Sequence, residues 1–78
     1  MKFPRGVSAG QLIRVLKQLG YEVIRQKGSH ARLRHDGPPV HLITIPMHNP
    51  LKTGTLHGII VEVARMQSIS IEALIEML

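Results

Sequence analysis

The sequence predicts an α+β fold in which a helix, three antiparallel strands, a second helix and a short third helix follow in order. Three observations predict it. Leu12, Val15, Leu16 and Leu19 recur at helical spacing, and so do Leu56, Ile59, Ile60 and Val63. Between these stripes lie three short strand-like runs, separated by turn residues at Gly28-Ser29 and Asp36-Gly37-Pro38-Pro39. The connections are too short for crossover helices, so the strands should form a meander, with the helices on one sheet face. At 78 residues the chain has room for one core, and a single domain over residues 1–78 is expected.

Each element has a local reason. Residues 1–6, with Pro4 and Gly6, read as an extended lead-in. Ser8 and Gln11 form a capping box at the start of the first helix, with Val7 and Leu12 spaced as the hydrophobic staple. Gly20 supplies the left-handed residue that ends it. Tyr21 to Gln26 is the first strand and His30 to His35 the second. Val40 to Ile45 is the third, ended by Pro46. A four-residue or a five-residue connection between the last two would set opposite faces of the third strand beside His30, and the sequence leaves that register open. Thr53 or Thr55 is expected to cap the second helix, which breaks softly near Gln67 and Ser68. Ser70 caps the last, with Glu72 in its first turn, Ile69 and Leu74 as a staple pair, and Ile71, Leu74, Ile75 and Leu78 as its apolar face.

Composition bounds the function. Ten Lys and Arg against five Asp and Glu give a net charge of +5, which favours an acidic partner such as RNA, DNA, an anionic membrane or an acidic protein. The absence of cysteine removes disulfides and thiolate metal sites. No apolar run is long enough to span a bilayer and no signal-peptide core opens the chain, so a cytoplasmic protein is expected. Phe3 and Tyr21 are the only aromatics among Phe, Trp and Tyr, which leaves no stacking platform for reading single-stranded bases.

The stretch that carries chemistry is Lys27-Gly28-Ser29-His30-Ala31-Arg32-Leu33-Arg34. Side chains alternate along a strand, so His30, Arg32 and Arg34 share one face while Ala31 and Leu33 turn to the other. One titratable imidazole and two fixed cations then project together toward a polyanion. The plain alternative is a solvated strand face with a chance histidine.

Four motifs in order carry a family resemblance. They are Leu16-Lys17-Gln18-Leu19-Gly20-Tyr21, Arg25-Gln26-Lys27-Gly28-Ser29-His30, Ile45-Pro46-Met47-His48 and Gly54-Thr55-Leu56. The chain resembles, from about Ser8 to Leu78, the HicA toxins, the small ribonuclease half of HicA–HicB toxin–antitoxin pairs. The resemblance implies a fold similar to the double-stranded-RNA-binding domain. It also implies metal-independent cleavage of mRNA and inhibition by a HicB-type antitoxin that covers the site. The family's catalytic histidine maps onto His30. Where the family often has a Gly between the last two helices, this chain has Ser68, and a less sharply turned junction is expected there.

The residue chemistry fits. In RNA the 2′-hydroxyl can attack the adjacent phosphate and expel the 5′-oxygen. That step needs proton transfer, which histidine performs near neutrality, and cations for the added negative charge. His30 is the expected catalytic residue, with His48 as a candidate assistant or a loop-capping residue. Lys27, Gly28, Ser29, Arg32 and Arg34 are the expected RNA contacts, Gly28 because a backbone without a side chain lets a ligand approach. His35 and His41 are expected as exposed turn-flanking residues and His57 as a solvent-facing one. No two histidines stand four apart on a helix and no carboxylate pair sits nearby, so no metal or other cofactor is expected. Ser29 cannot readily meet His30, because strand neighbours face oppositely. A larger toxin–antitoxin assembly is expected, with no membrane role. The competing class is a non-catalytic RNA-binding module of the same fold.

Overall fold

The computed structural model describes residues 3–78, so the first two residues of the expected lead-in lie outside the described residues. The elements are α1 (Ala9–Gln18), β1 (Tyr21–Lys27), β2 (His30–His35), β3 (His41–Pro46), α2 (Thr53–Gln67) and α3 (Ile71–Met77). The three strands form one antiparallel sheet in the order β1-β2-β3. This is the helix–meander–helix α+β arrangement that the periodicities predict, and it is consistent with the double-stranded-RNA-binding-domain-like fold.

One sheet face is covered and the other is open. Ala31 and Leu33 of β2 and Ile43 and Ile45 of β3 point inward, where they meet Leu12, Val15 and Leu16 of α1 and Leu56, Ile60 and Val63 of α2 in a single cluster. Burying an aliphatic side chain of this size is worth about 1.5–3 kcal/mol, and these aliphatic residues replace the aromatics the chain lacks. α3 packs on α2 and contributes Leu74. No described helix is long and apolar enough to cross a membrane.

The capping box at α1 is present in both directions: Ser8 Oγ accepts from the Gln11 N–H at 3.1 Å, and Gln11 Oε1 accepts from the Ser8 N–H at 3.0 Å. Ser70 likewise accepts from the Ala73 N–H. The start of α2 departs from expectation. Its N-cap is Lys52, with no side-chain cap, because Thr53 and Thr55 already lie inside the helix, where the threonine hydroxyl is no longer placed before the first free N–H groups. The end of α2 departs too. Ser68 adopts φ 53°, ψ 42°, so the junction turns through the left-handed conformation without a glycine, and the Ile69 N–H closes it on the Ala64 carbonyl.

Two register facts decide which side chains share the open face. His30 pairs with Pro46 and His35 with His41, so residues 36–40 form the five-residue connection. In β1 the pairing runs Tyr21 with His35, Glu22 with Arg34 and Val23 with Leu33, then resumes at Arg25 with Arg32, Gln26 with Ala31 and Lys27 with His30. Ile24 is therefore the extra residue of a β-bulge.

The two histidines beside the Asp36–Pro39 turn are not exposed, contrary to expectation. His41 is 7% exposed. Its Nδ1 lies 2.6 Å from the Tyr21 hydroxyl and its Nε2 2.6 Å from Glu62 Oε2. His35 is half-buried over Gly20 and bridges the Leu19 carbonyl and the Gly37 N–H. Both side chains face inward because they continue the alternation set by Leu33 and Ile43. As polar groups there, they take hydrogen bonds to remain buried.

Candidate functional site

The open face of the sheet is built in cross-strand rows. Partners directly opposite each other share a face. Lys27, His30 and Pro46 make one row, Arg25, Arg32 and Thr44 the next, and Glu22, Arg34 and Leu42 the third. The first two rows enclose a shallow cleft of about 230 Å³ lined by Arg25, Lys27, His30, Arg32 and Thr44. It holds three cations and one imidazole and no carboxylate.

Each lining residue has a local cause. The connection from β1 to β2 is the two-residue turn Gly28-Ser29, and Gly28 sits at φ 57°, where glycine alone adds no steric penalty. This turn sets Lys27 beside His30. The His30 ring is exposed and makes no side-chain hydrogen bond to any other described residue. Arg32 is held across the sheet, where its Nη1–H donates to Thr44 Oγ1 at 3.0 Å. The loop after β3 is anchored beneath the turn: the Met47 N–H donates to the Ser29 carbonyl at 2.6 Å. The backbone one residue before His30 is thereby tied to the loop after β3.

The expected site residues divide. Lys27, His30 and Arg32 come together in the cleft, with Gly28 and Ser29 forming its adjoining turn. Arg34 lies farther along the same face, outside the cleft lining, and its Nε pairs with Asp36 Oδ1 at 3.1 Å. His48 is exposed and does not line the cleft. Its backbone is structural: its carbonyl accepts from the Ala9 N–H at 3.1 Å, which ties the loop to the start of α1, and its own N–H donates to the Pro46 carbonyl at 2.9 Å at the turn out of β3. His57 is exposed and packs edge-on against Phe3, with ring centroids 4.3 Å apart.

Two lining residues, Arg25 and Thr44, were not expected there. Strict alternation from Tyr21 turns Arg25 and Lys27 inward, and only the bulge at Ile24 brings them out. The signal was present as a conflict: two cations at positions that alternation assigns to the core.

Beneath the sheet lies a second polar group. The Tyr21 hydroxyl meets His41 on one side and accepts from Gln67 Nε2 at 3.1 Å on the other. Burial pushes the Tyr21 phenol above its usual range; the Gln67 hydrogen bond opposes this, and the charge of Glu62 adds to it. With the phenol donating to Nδ1 and Nε2–H donating to Glu62, every member of the Tyr21–His41–Glu62 chain is satisfied.

A family model described as the HicA toxin of bacterial toxin-antitoxin matches residues 9–65, well over half of the chain. The chain belongs to the HicA toxin family. The match covers α1, the whole sheet and most of α2, and so includes every residue of the cleft. Neither a curated protein nor a solved structure matches it. Membership makes this HicA-family chain the toxin of a toxin–antitoxin system and implies pairing with an antitoxin.

Proposed function

We propose that this HicA-family toxin is a metal-independent endoribonuclease that cuts messenger RNA in the cytoplasm. His30 is its proton-transferring residue, and Lys27 and Arg32 are its phosphate contacts. The observation that carries the reading is the cleft: one exposed imidazole among three cations on an open sheet face.

In the proposed reaction the ribose 2′-oxygen forms a bond to the adjacent phosphorus as the bond to the 5′-oxygen breaks. The products are a cyclic phosphate and a free 5′-hydroxyl. His30 moves a proton at one end of this exchange, a contribution of about 10²–10⁴-fold from a positioned group. The cations offset the charge that accumulates on the phosphate oxygens. Because the attacking group is the 2′-hydroxyl, RNA is cut and DNA is not. The cleft lining holds no carboxylate or carboxamide oxygen for a hard divalent cation, only the Thr44 hydroxyl, which Arg32 already engages. Gly28 and Ser29 let the RNA backbone approach the turn, Arg34 extends the cationic row beyond the cleft, and His48 is a candidate assistant. An acidic HicB-type antitoxin would complement the +5 charge by covering this face within an oligomeric complex.

The test is cleavage of RNA by the purified chain with chelator present, beside His30→Ala. Cleavage that disappears in a folded His30→Ala protein, together with growth inhibition, is expected. Full cleavage by that variant would sink the mechanism. RNA affinity with no products at excess protein would make the chain a binding module.

A further inference from the structure

The bulge in β1 and the cross-strand hydrogen bond of Arg32 point to a site feature beyond His30. We propose that Arg25, Arg32 and Thr44 form a clamp for one RNA phosphodiester. In it, Arg25 is a second guanidinium and Thr44 a positioning residue that acts through Arg32. The inference rests on the RNA-cleavage reading for its reaction, and on geometry for its residues.

Three observations assemble the clamp. Arg25 and Thr44 flank Arg32 directly, one on each neighbouring strand, and all three line the cleft that holds His30. In an unbulged strand Arg25 would lie opposite Ala31, whose side chain is fully buried, and Ile24 would lie opposite Arg32. The bulge therefore exchanges an isoleucine for an arginine at the centre of the cleft. Finally, Arg32 has a rotamer partner. A guanidinium presents its donors in a rigid fork, and its reach is set by whichever donor is already engaged. Thr44 Oγ1 takes Nη1. The remaining donors are left in a defined plane for phosphate oxygens, which Arg binds two at a time. Arg34, by contrast, is paired with Asp36 and stands outside the cleft.

Thr44 is exposed, so a role in the core does not explain it, and Thr44→Val keeps a β-branched residue on the strand. Such a variant preserves every charge in the cleft and removes only the hydroxyl that holds Arg32.

The test uses the full chain as wild type, Arg25→Ala, Thr44→Val and Thr44→Ser, each checked by thermal melting. Arg25→Gln replaces Arg25→Ala should that variant fail to fold. Binding of a 2′-O-methyl RNA oligomer, which lacks the attacking hydroxyl, is measured over a salt series. Arg25→Ala is expected to flatten the slope of log affinity against log salt by about 0.7, one contact on a single strand. An unchanged slope overturns the role of Arg25. On cleavable RNA, Thr44→Val is expected to lower kcat by about 2–10-fold, the range of one hydrogen bond, with KM changed less. Thr44→Ser should restore it. Wild-type kcat in Thr44→Val, or a loss that serine does not rescue, overturns the role of Thr44. Should the wild type bind RNA without cutting it, the cleavage reading has failed and binding alone decides the clamp. Thr44→Val must then weaken the oligomer and Thr44→Ser recover it; equal binding in all three overturns the clamp. A wild type that binds no RNA overturns both.

Discussion

The Tyr21 hydroxyl and His41 Nδ1 lie 2.6 Å apart, although the residues are twenty positions apart in the chain and sit on strands that are not neighbours. His41 passes the contact on to Glu62 of α2, so one buried histidine ties both edge strands to the covering helix.

Tyr21→Phe should weaken the fold. It removes the hydroxyl from between His41 and Gln67 and strands a buried ring nitrogen, at a cost of about 1–3 kcal/mol. Urea denaturation reads this as a lower midpoint. RNA cleavage by the folded fraction should persist, since the cleft is on the opposite face. A midpoint equal to wild type would show that the contact contributes nothing.

The same tyrosine predicts the alkaline limb. Its phenol is raised by burial above the ordinary value, so the unfolded chain releases this proton first. The resulting stabilisation is complete below about pH 10, the unfolded value, and is lost as pH rises through the higher folded value. Above pH 10 the wild type should therefore lose stability more steeply than Tyr21→Phe. Parallel curves for the two proteins would refute this.

The arginines should separate. Arg32→Ala removes a cleft cation and is expected to lower the salt slope of RNA binding by about 0.7. Arg34→Ala removes one already paired with Asp36 and should change the slope less. Equal or reversed losses would place the RNA along the whole row instead of in the cleft.

The two ends of α2 predict gains. Lys52→Ser supplies a cap where none exists and should stabilise by about 1 kcal/mol. Ser68→Gly relieves a left-handed serine and should add a similar amount, about 1 kcal/mol. Thermal melting of each variant decides, and no gain at either position would mean that the neighbouring packing already compensates.

The fold was largely legible because its signals are local. Ser8 with Gln11 and the stripes at Leu12 and Leu56 each specify their own helix, and short turns leave little choice of topology. The burial of His35 and His41 was harder to read. Alternation from Leu33 and Ile43 turns both inward, but a polar side chain stays buried only with hydrogen-bond partners, here as distant in the chain as Leu19 and Glu62. Of the cleft, His30 with Arg32 followed from simple alternation. Arg25 did not, because a bulge changes the phase of a strand without changing its composition. Thr44 needed the register with β3 before it could be placed beside Arg32 at all.

The bulge also makes the two rims of the sheet unequal. Strand β1 is kinked by Ile24 and carries Glu22, Arg25 and Lys27, features that discourage another chain from pairing there. Strand β3 is regular and bears no Asp, Glu, Lys or Arg from His41 to Pro46. The bond from Met47 N–H to the Ser29 carbonyl fixes the alternation so that Leu42 and Thr44 direct their own N–H and C=O groups away from β2. Extension of the sheet is thus favoured on the β3 side. Self-association or amyloid-like stacking of this protein, where it occurs, should begin at β3.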